Sequence, residues 1–152
     1  MSVRNQIDRS GFGTRRKVTP IFMASLQELN ARDIQRPAVL IVEDEPLLRI
    51  HAADIVEEAG FIAIEANNAD EAVRILENRN DIVLLFTDVQ MPGSMDGLKL
   101  AHAVRNRWPP IKIVIVSGHL QVAKNDLPHD SRFFGKPFET TKMIAELRAL
   151  IG

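Results

Sequence analysis

The 152-residue sequence contains no cysteine. That excludes structural disulfides, thiol nucleophiles and zinc-thiolate centres, and it leaves a reducing compartment open to the chain. No apolar run approaches the length needed to cross a bilayer, so no membrane partner is expected. The Arg-rich start looks like the n-region of a signal peptide, but the apolar stretch behind it, Ile21 to Ala24, is too short for an h-region. No secretion signal is expected, and the expected location is cytoplasmic. A dense stripe of Lys and Arg is missing too. Seven basic residues stand against three acids in residues 1–36, leaving twelve against seventeen in 37–152. An acidic globule of this kind is a poor direct binder of nucleic acid.

Hydrophobic residues make up 45% of the chain and charged residues 26%, which fits one globular domain with an extension. Residues 1–19 are polar, basic and without helical or strand period, the composition of a disordered tail. Between Pro20 and Ala31 the spacing of Phe22, Leu26 and Leu29 predicts a short amphipathic helix over 20–31. Such a helix would dock on the globule or on a second copy of the chain, which makes a homodimer one expectation. Met23 offers a second translational start. Arg36-Pro37 closes this extension, because the residue before proline avoids the helical region.

From Ala38 onward strands and helices alternate. Continuous apolar runs at Ala38 to Val42, Ile82 to Phe86 and Ile111 to Val116 read as strands buried on both faces, with shorter strands at Phe61 to Glu65 and Arg132 to Gly135. One helix is expected from Pro46, with Leu47, Ile50, Ala53 or Asp54, and Ile55 to Ala59 in a helical period on its inner face, until Gly60 stops it. A second is capped by Asn68 or Asp70 and ends near Asn78. A third begins at Asp96 or Gly97 and is stopped by Pro109-Pro110. The weakest, Leu120 to Leu127, is opposed by Asn125, Asp126 and Pro128, and the last runs from Thr140 to Leu150 with Glu139 or Thr140 as its cap. This alternation predicts an α/β fold with a parallel sheet, right-handed crossovers and helices on both faces.

The residues that carry chemistry fall at the carboxyl ends of the strands, where open α/β sheets place their ligand crevice. Glu43 and Asp44 follow the first strand, Asp88 the third, Ser117 the fourth and Lys136 the fifth. Alone, Asp88 reads equally well as a turn-initiating acid. Three carboxylates brought together repel one another, and the natural counter-charge is a hard divalent cation with oxygen ligands, Mg2+ above all. Lys136 and Ser117 then suit an anion, one as a point charge and the other as a directed hydrogen bond. An Asp beside a metal and a Lys is a candidate nucleophile toward phosphorus. His51, His102, His119 and His129 show no ligand spacing on a shared element, although His119 alone is near enough in sequence to approach this crevice. Trp108, next to two prolines, reads as a helix-end packing residue.

Val-Glu-Asp-Glu at 42–45, Thr-Asp-Val-Gln-Met-Pro-Gly at 87–93, Val-Ser-Gly at 116–118 and Gly-Lys-Pro-Phe at 135–138 stand in order on these strand ends. With them the chain resembles, over residues 37–152, the receiver domain of two-component response regulators, in a stand-alone form like the chemotaxis receiver. The resemblance implies a (βα)5 doubly wound, five-stranded parallel sheet in the flavodoxin-like order 2-1-3-4-5. It implies that Asp88 takes a phosphoryl group from a sensor histidine kinase or histidine phosphotransfer protein. Asp44, Asp88 and the backbone carbonyl of Gln90 would hold Mg2+, with Glu43 acting through water. Ser117 and Phe133 would form the switch read by a downstream protein, and the chain would catalyse only its own phosphorylation and dephosphorylation. Two departures are visible: the Met-Pro-Gly-Ser-Met-Asp-Gly loop is one residue longer than the commoner pattern, and the segment between Ser117 and Lys136 is short. A competing reading is an aspartate-nucleophile phosphohydrolase of the haloacid-dehalogenase kind, but that chemistry wants a second acid two residues after the nucleophile, where this chain has Gln90. A flavodoxin-like nucleotide binder would need a Gly-rich phosphate loop where Glu-Asp-Glu-Pro stands.

Overall fold

The structure is a computed structural model that describes residues 36–118 and 122–152. The tail expected at 1–19 and the helix expected at 20–31 lie outside the described residues. Five parallel strands form one sheet: β1 Ala38–Val42, β2 Ile62–Ala66, β3 Ile82–Asp88, β4 Lys112–Ser117 and β5 Ser131–Gly135, in the order β2-β1-β3-β4-β5. Four α-helices connect and follow them: α1 Pro46–Ala59, α2 Ala69–Asn78, α3 Gly97–Arg107 and α4 Thr140–Ile151.

The continuous apolar runs are explained by where their side chains go. β1 is fully buried along its length, and its residues alternate between two cores. Ala38, Leu40 and Val42 face a layer with Ala72 and Leu76 of α2 and Leu100 and Val104 of α3. Val39 and Ile41 face the other layer, made with Ile55 and Val56 of α1 and Met143 and Leu147 of α4. A strand covered on both sides has no polar face to alternate with. Each large aliphatic side chain so buried contributes about 1.5–3 kcal/mol relative to exposure.

Helix ends follow local chemistry. Asn68 caps α2 by accepting from the Glu71 N–H at 2.8 Å, and Asp96 caps α3 by accepting from the Lys99 N–H at 2.9 Å. Gly60 ends α1 in the left-handed region, φ 105°, where a Cβ would be strained. Glu139 occupies the N-cap position of α4 but makes no side-chain cap bond. Trp108 ends α3, half-buried, with the Arg107 guanidinium stacked 4.3 Å from its ring centroid.

Two expectations are corrected. Leu47 and Ile50 do not turn inward: they are 75% and 53% exposed, while Ala53, Ile55, Val56 and Ala59 are buried as expected and Ala52 joins them. The buried residues of α1 begin only at Ala52, so the core-facing side of the helix lies in its C-terminal half. The fourth crossover, expected as a helix over Leu120 to Leu127, holds among the described residues only a 3-10 turn, Lys124–Asp126. Asn125 and Asp126 compete for the backbone, and Pro128 cannot extend a helix. Arg105 of α3 takes over the tethering. Its buried guanidinium donates to the carbonyls of Pro109 at 2.8 Å, Ile111 at 3.1 Å and His129 at 2.9 Å. His102 adds a bond from Nε2 to the Asp126 carbonyl at 2.7 Å.

Candidate functional site

The sheet order sets the site. β1 and β3 are central neighbours, so Glu43, Asp44 and Asp88 leave the sheet side by side, and β4 and β5 deliver Ser117 and Lys136 beside them. Carboxylate oxygens of Glu43, Asp44 and Asp88 all lie within 4.8 Å of one another. Glu43 and Asp88 are buried, at 5% and 9% exposure, whereas Asp44 is exposed. The Lys136 Nζ lies 3.2 Å from Glu43 Oε1 and 3.3 Å from Asp88 Oδ2. One ammonium therefore bridges the two buried acids and leaves an excess of negative charge.

Burial raises the Glu43 carboxyl above its ordinary range. The Glu45 N–H, 3.1 Å from Oε2, and the charge of Lys136 offset part of that effect, and the Asp88 charge adds to it. A buried acid in this condition is poised to gain from an added cation. The donor set is oxygen only, which fits Mg2+ and does not fit a soft metal.

Ser117 is buried at the end of β4, and its carbonyl accepts from the Lys136 N–H at 2.8 Å. Phe133 lies opposite Ile115 in the β4–β5 register. It is half-buried against the α2/α3 core, in the same cluster as Val122 and Leu127 of the fourth crossover. Gln90 is exposed, two residues beyond Asp88 at the start of the long loop. That loop turns at Gly93, φ 117°, and Ser94 Oγ anchors it by donating to Asp70 Oδ1 at 2.7 Å. His119 lies outside the described residues. Beside the acids opens an apolar hollow of about 310 Å³ between α1 and the segment after β5, lined by Leu48, Ala52, Phe86 and Phe138.

Thr87, which stands within a motif, and Gly97, expected at a helix start, both seat Asp88, a role the sequence reading does not give them. Thr87 Oγ1, fully buried, donates to the Asp88 carbonyl at 2.9 Å. Gly97 packs against that same carbonyl, and a Cβ there would lie 1.6 Å from the oxygen. Signals for both existed: a hydroxyl in an otherwise apolar strand, and a glycine at a first helical turn.

A family model described as the response regulator receiver domain matches residues 39–148. The response regulator receiver protein CpdR of Brucella abortus (strain 2308) is 30% identical over 116 residues, which cover 74% of this chain and 95% of CpdR. The sensor kinase CckA of the same organism is 32% identical over 117 residues, covering 74% of this chain and 12% of that protein. In fold, the chain is similar to the response regulator protein TrrA of Thermotoga maritima, solved in complex with Mg2+ and BeF. The TM-score is 0.65 at 23% identity, covering 75% of this chain and 98% of that one.

Proposed function

Because this chain belongs to the response regulator receiver domain family of two-component systems, we propose that Asp88 is its phosphoacceptor and that the reaction requires Mg2+. The observation that carries this reading is the position of the Asp88 carboxylate, held 3.3 Å from Lys136 Nζ and within 4.8 Å of Glu43 and Asp44 at the carboxyl edge of the sheet.

In the proposed transfer an Asp88 carboxylate oxygen attacks the phosphorus of a phosphohistidine on a sensor histidine kinase or phosphotransfer protein. The P–N bond breaks, its electrons return to the imidazole, and an O–P bond gives the aspartyl phosphate. Asp44, Asp88 and the Gln90 carbonyl would hold Mg2+ directly, with Glu43 acting through water, and the ion would neutralise the charge on the phosphoryl oxygens. Lys136 supplies the second positive charge and must leave Asp88 Oδ2 in part to meet a phosphoryl oxygen. Ser117 offers the nearest hydroxyl donor on the neighbouring strand. Its movement toward the phosphoryl group would vacate space beside β5 that Phe133 fills, and a downstream protein would read the result. Attack of water on the same phosphorus reverses the modification, so the chain turns over nothing but itself. TrrA, similar to this chain in fold, was solved in complex with Mg2+ and BeF, and Mg2+ beside a phosphoryl mimic is the arrangement this reading asks of Asp88.

The test is incubation with radiolabelled acetyl phosphate or a kinase, with and without Mg2+. The wild-type chain should take up hydroxylamine-labile label only with the metal, and Asp88→Asn should take up none. Label persisting on Asp88→Asn would remove Asp88 from the role.

A further inference from the structure

We propose that Arg49 is a positioning residue for the carboxylates that hold Mg2+: its guanidinium fork fixes the peptide between Glu43 and Asp44. The inference rests on the metal reading above.

The β1–β3 register ends with Val42 opposite Thr87, so the sheet ladder to β3 stops just before the acids. Arg49 takes over at that point. Nη1 donates to the Glu43 carbonyl at 2.9 Å, and Nε donates to Glu65 Oε1 on β2 at 3.2 Å. The same residue's backbone N–H donates to the Glu45 carbonyl at 2.9 Å, and the Glu45 N–H holds the Glu43 carboxylate. Residues 43–49 therefore close a ring in which Asp44 is carried, tied through Glu65 to the neighbouring strand. The Arg49 side chain is 17% exposed and that of Glu65 43%, so the arm to the Glu43 carbonyl is the more shielded of the two and the arm to Glu65 stands open to water. A planar guanidinium holds its N–H groups in a fixed fork aimed at both acceptors, whereas an ammonium is a point charge on a flexible stem whose donors set no direction.

Charge and geometry predict opposite signs. Removing a cation beside three carboxylates should, by charge alone, tighten Mg2+ binding. If Arg49 holds the ligands in place, removing it should weaken binding, because groups that orient metal ligands typically carry about 10- to 100-fold in affinity.

Titration calorimetry of the full chain with Mg2+ alone separates the two. Arg49→Met and Arg49→Lys should each bind Mg2+ roughly 10-fold more weakly than wild type. Glu65→Gln keeps an acceptor for Nε and should stay within about two-fold. Circular dichroism and urea midpoints without metal identify variants that fail to fold, and if Arg49→Met does, Arg49→Lys decides the matter. Unchanged or tighter binding by Arg49→Lys, or a ten-fold loss in Glu65→Gln, overturns the fork. A wild-type chain that binds no Mg2+ overturns the metal reading instead.

Discussion

The Gly97 α-carbon lies against the Asp88 backbone carbonyl so closely that a β-carbon would come within 1.6 Å of the oxygen and 2.8 Å of Thr87 Oγ1. The peptide after Asp88 thus sits in a notch at the start of α3. The notch is closed by the Gly97 N–H, which donates to the Val89 carbonyl at 2.8 Å. Gly97→Ala must push backbone and not a flexible side-chain end. We expect it to destabilise the domain by about 1–3 kcal/mol or more, as overpacking does, and to lower phosphoryl uptake. Urea unfolding of the variant at the wild-type midpoint would show that α3 can slide to make room.

Glu43 sets a pH dependence with a definite sign. Its folded-state pKa is raised, chiefly by burial, so between the ordinary glutamate range and the raised value the native chain binds more protons than the unfolded one. Its contribution to metal-free stability is therefore full below that range and is lost as pH rises through the window. Glu43→Gln should remove this slope and melt higher than wild type near neutrality. Mg2+ needs the carboxylate, so metal affinity should fall as pH drops through the same window. The measurement is melting temperature against pH for both proteins, without metal. A difference curve that climbs in favour of wild type as pH rises would contradict the assignment.

Arg105 is buried, with backbone carbonyls as its partners. Arg105→Met keeps much of the stem but orphans those acceptors, and a loss of roughly 2–4 kcal/mol is expected. Hydrogen exchange should show opening first at residues 122–130. An equilibrium midpoint matching wild type would mean that water replaces the guanidinium without cost.

Ser117→Ala should still accept phosphate, since Asp88 and Lys136 are untouched, yet lose most of the response that follows. Such couplings are typically worth about 5- to 150-fold in a partner's affinity. Partner binding or self-association with and without beryllofluoride checks it, and an undiminished response in the variant would refute the proposed relay from Ser117 to Phe133.

Strand positions were legible because burial on both faces leaves an uninterrupted apolar run, as at Leu84 to Phe86, and the parallel topology then puts Asp88 and Lys136 on one edge without further information. Leu47 and Ile50 misled because a helical period states which residues share a face, not how much of that face the core covers. Arg105 carries no mark in the sequence that sets it apart from the other charged residues of α3. Its burial depends on carbonyls contributed by the loop after the helix and by the turn before β5, which no local pattern announces. Thr87 and Gly97 act on the Asp88 carbonyl, a main-chain atom that side-chain motifs do not display.

The bond from Lys136 Nζ to Glu43 Oε1 joins residues 93 positions apart. During synthesis from the N-terminus, β1, β2 and β3 can pair and gather the three acids while the lysine is still unmade. A growing chain would therefore carry its mutual repulsion uncompensated until β5 emerges and adds to the sheet edge. Lys136 directly follows β5, so a ribosome-bound fragment ending before Lys136 should be unable to draw phosphate from a kinase, and the counter-charge would arrive only once the fifth strand is in place.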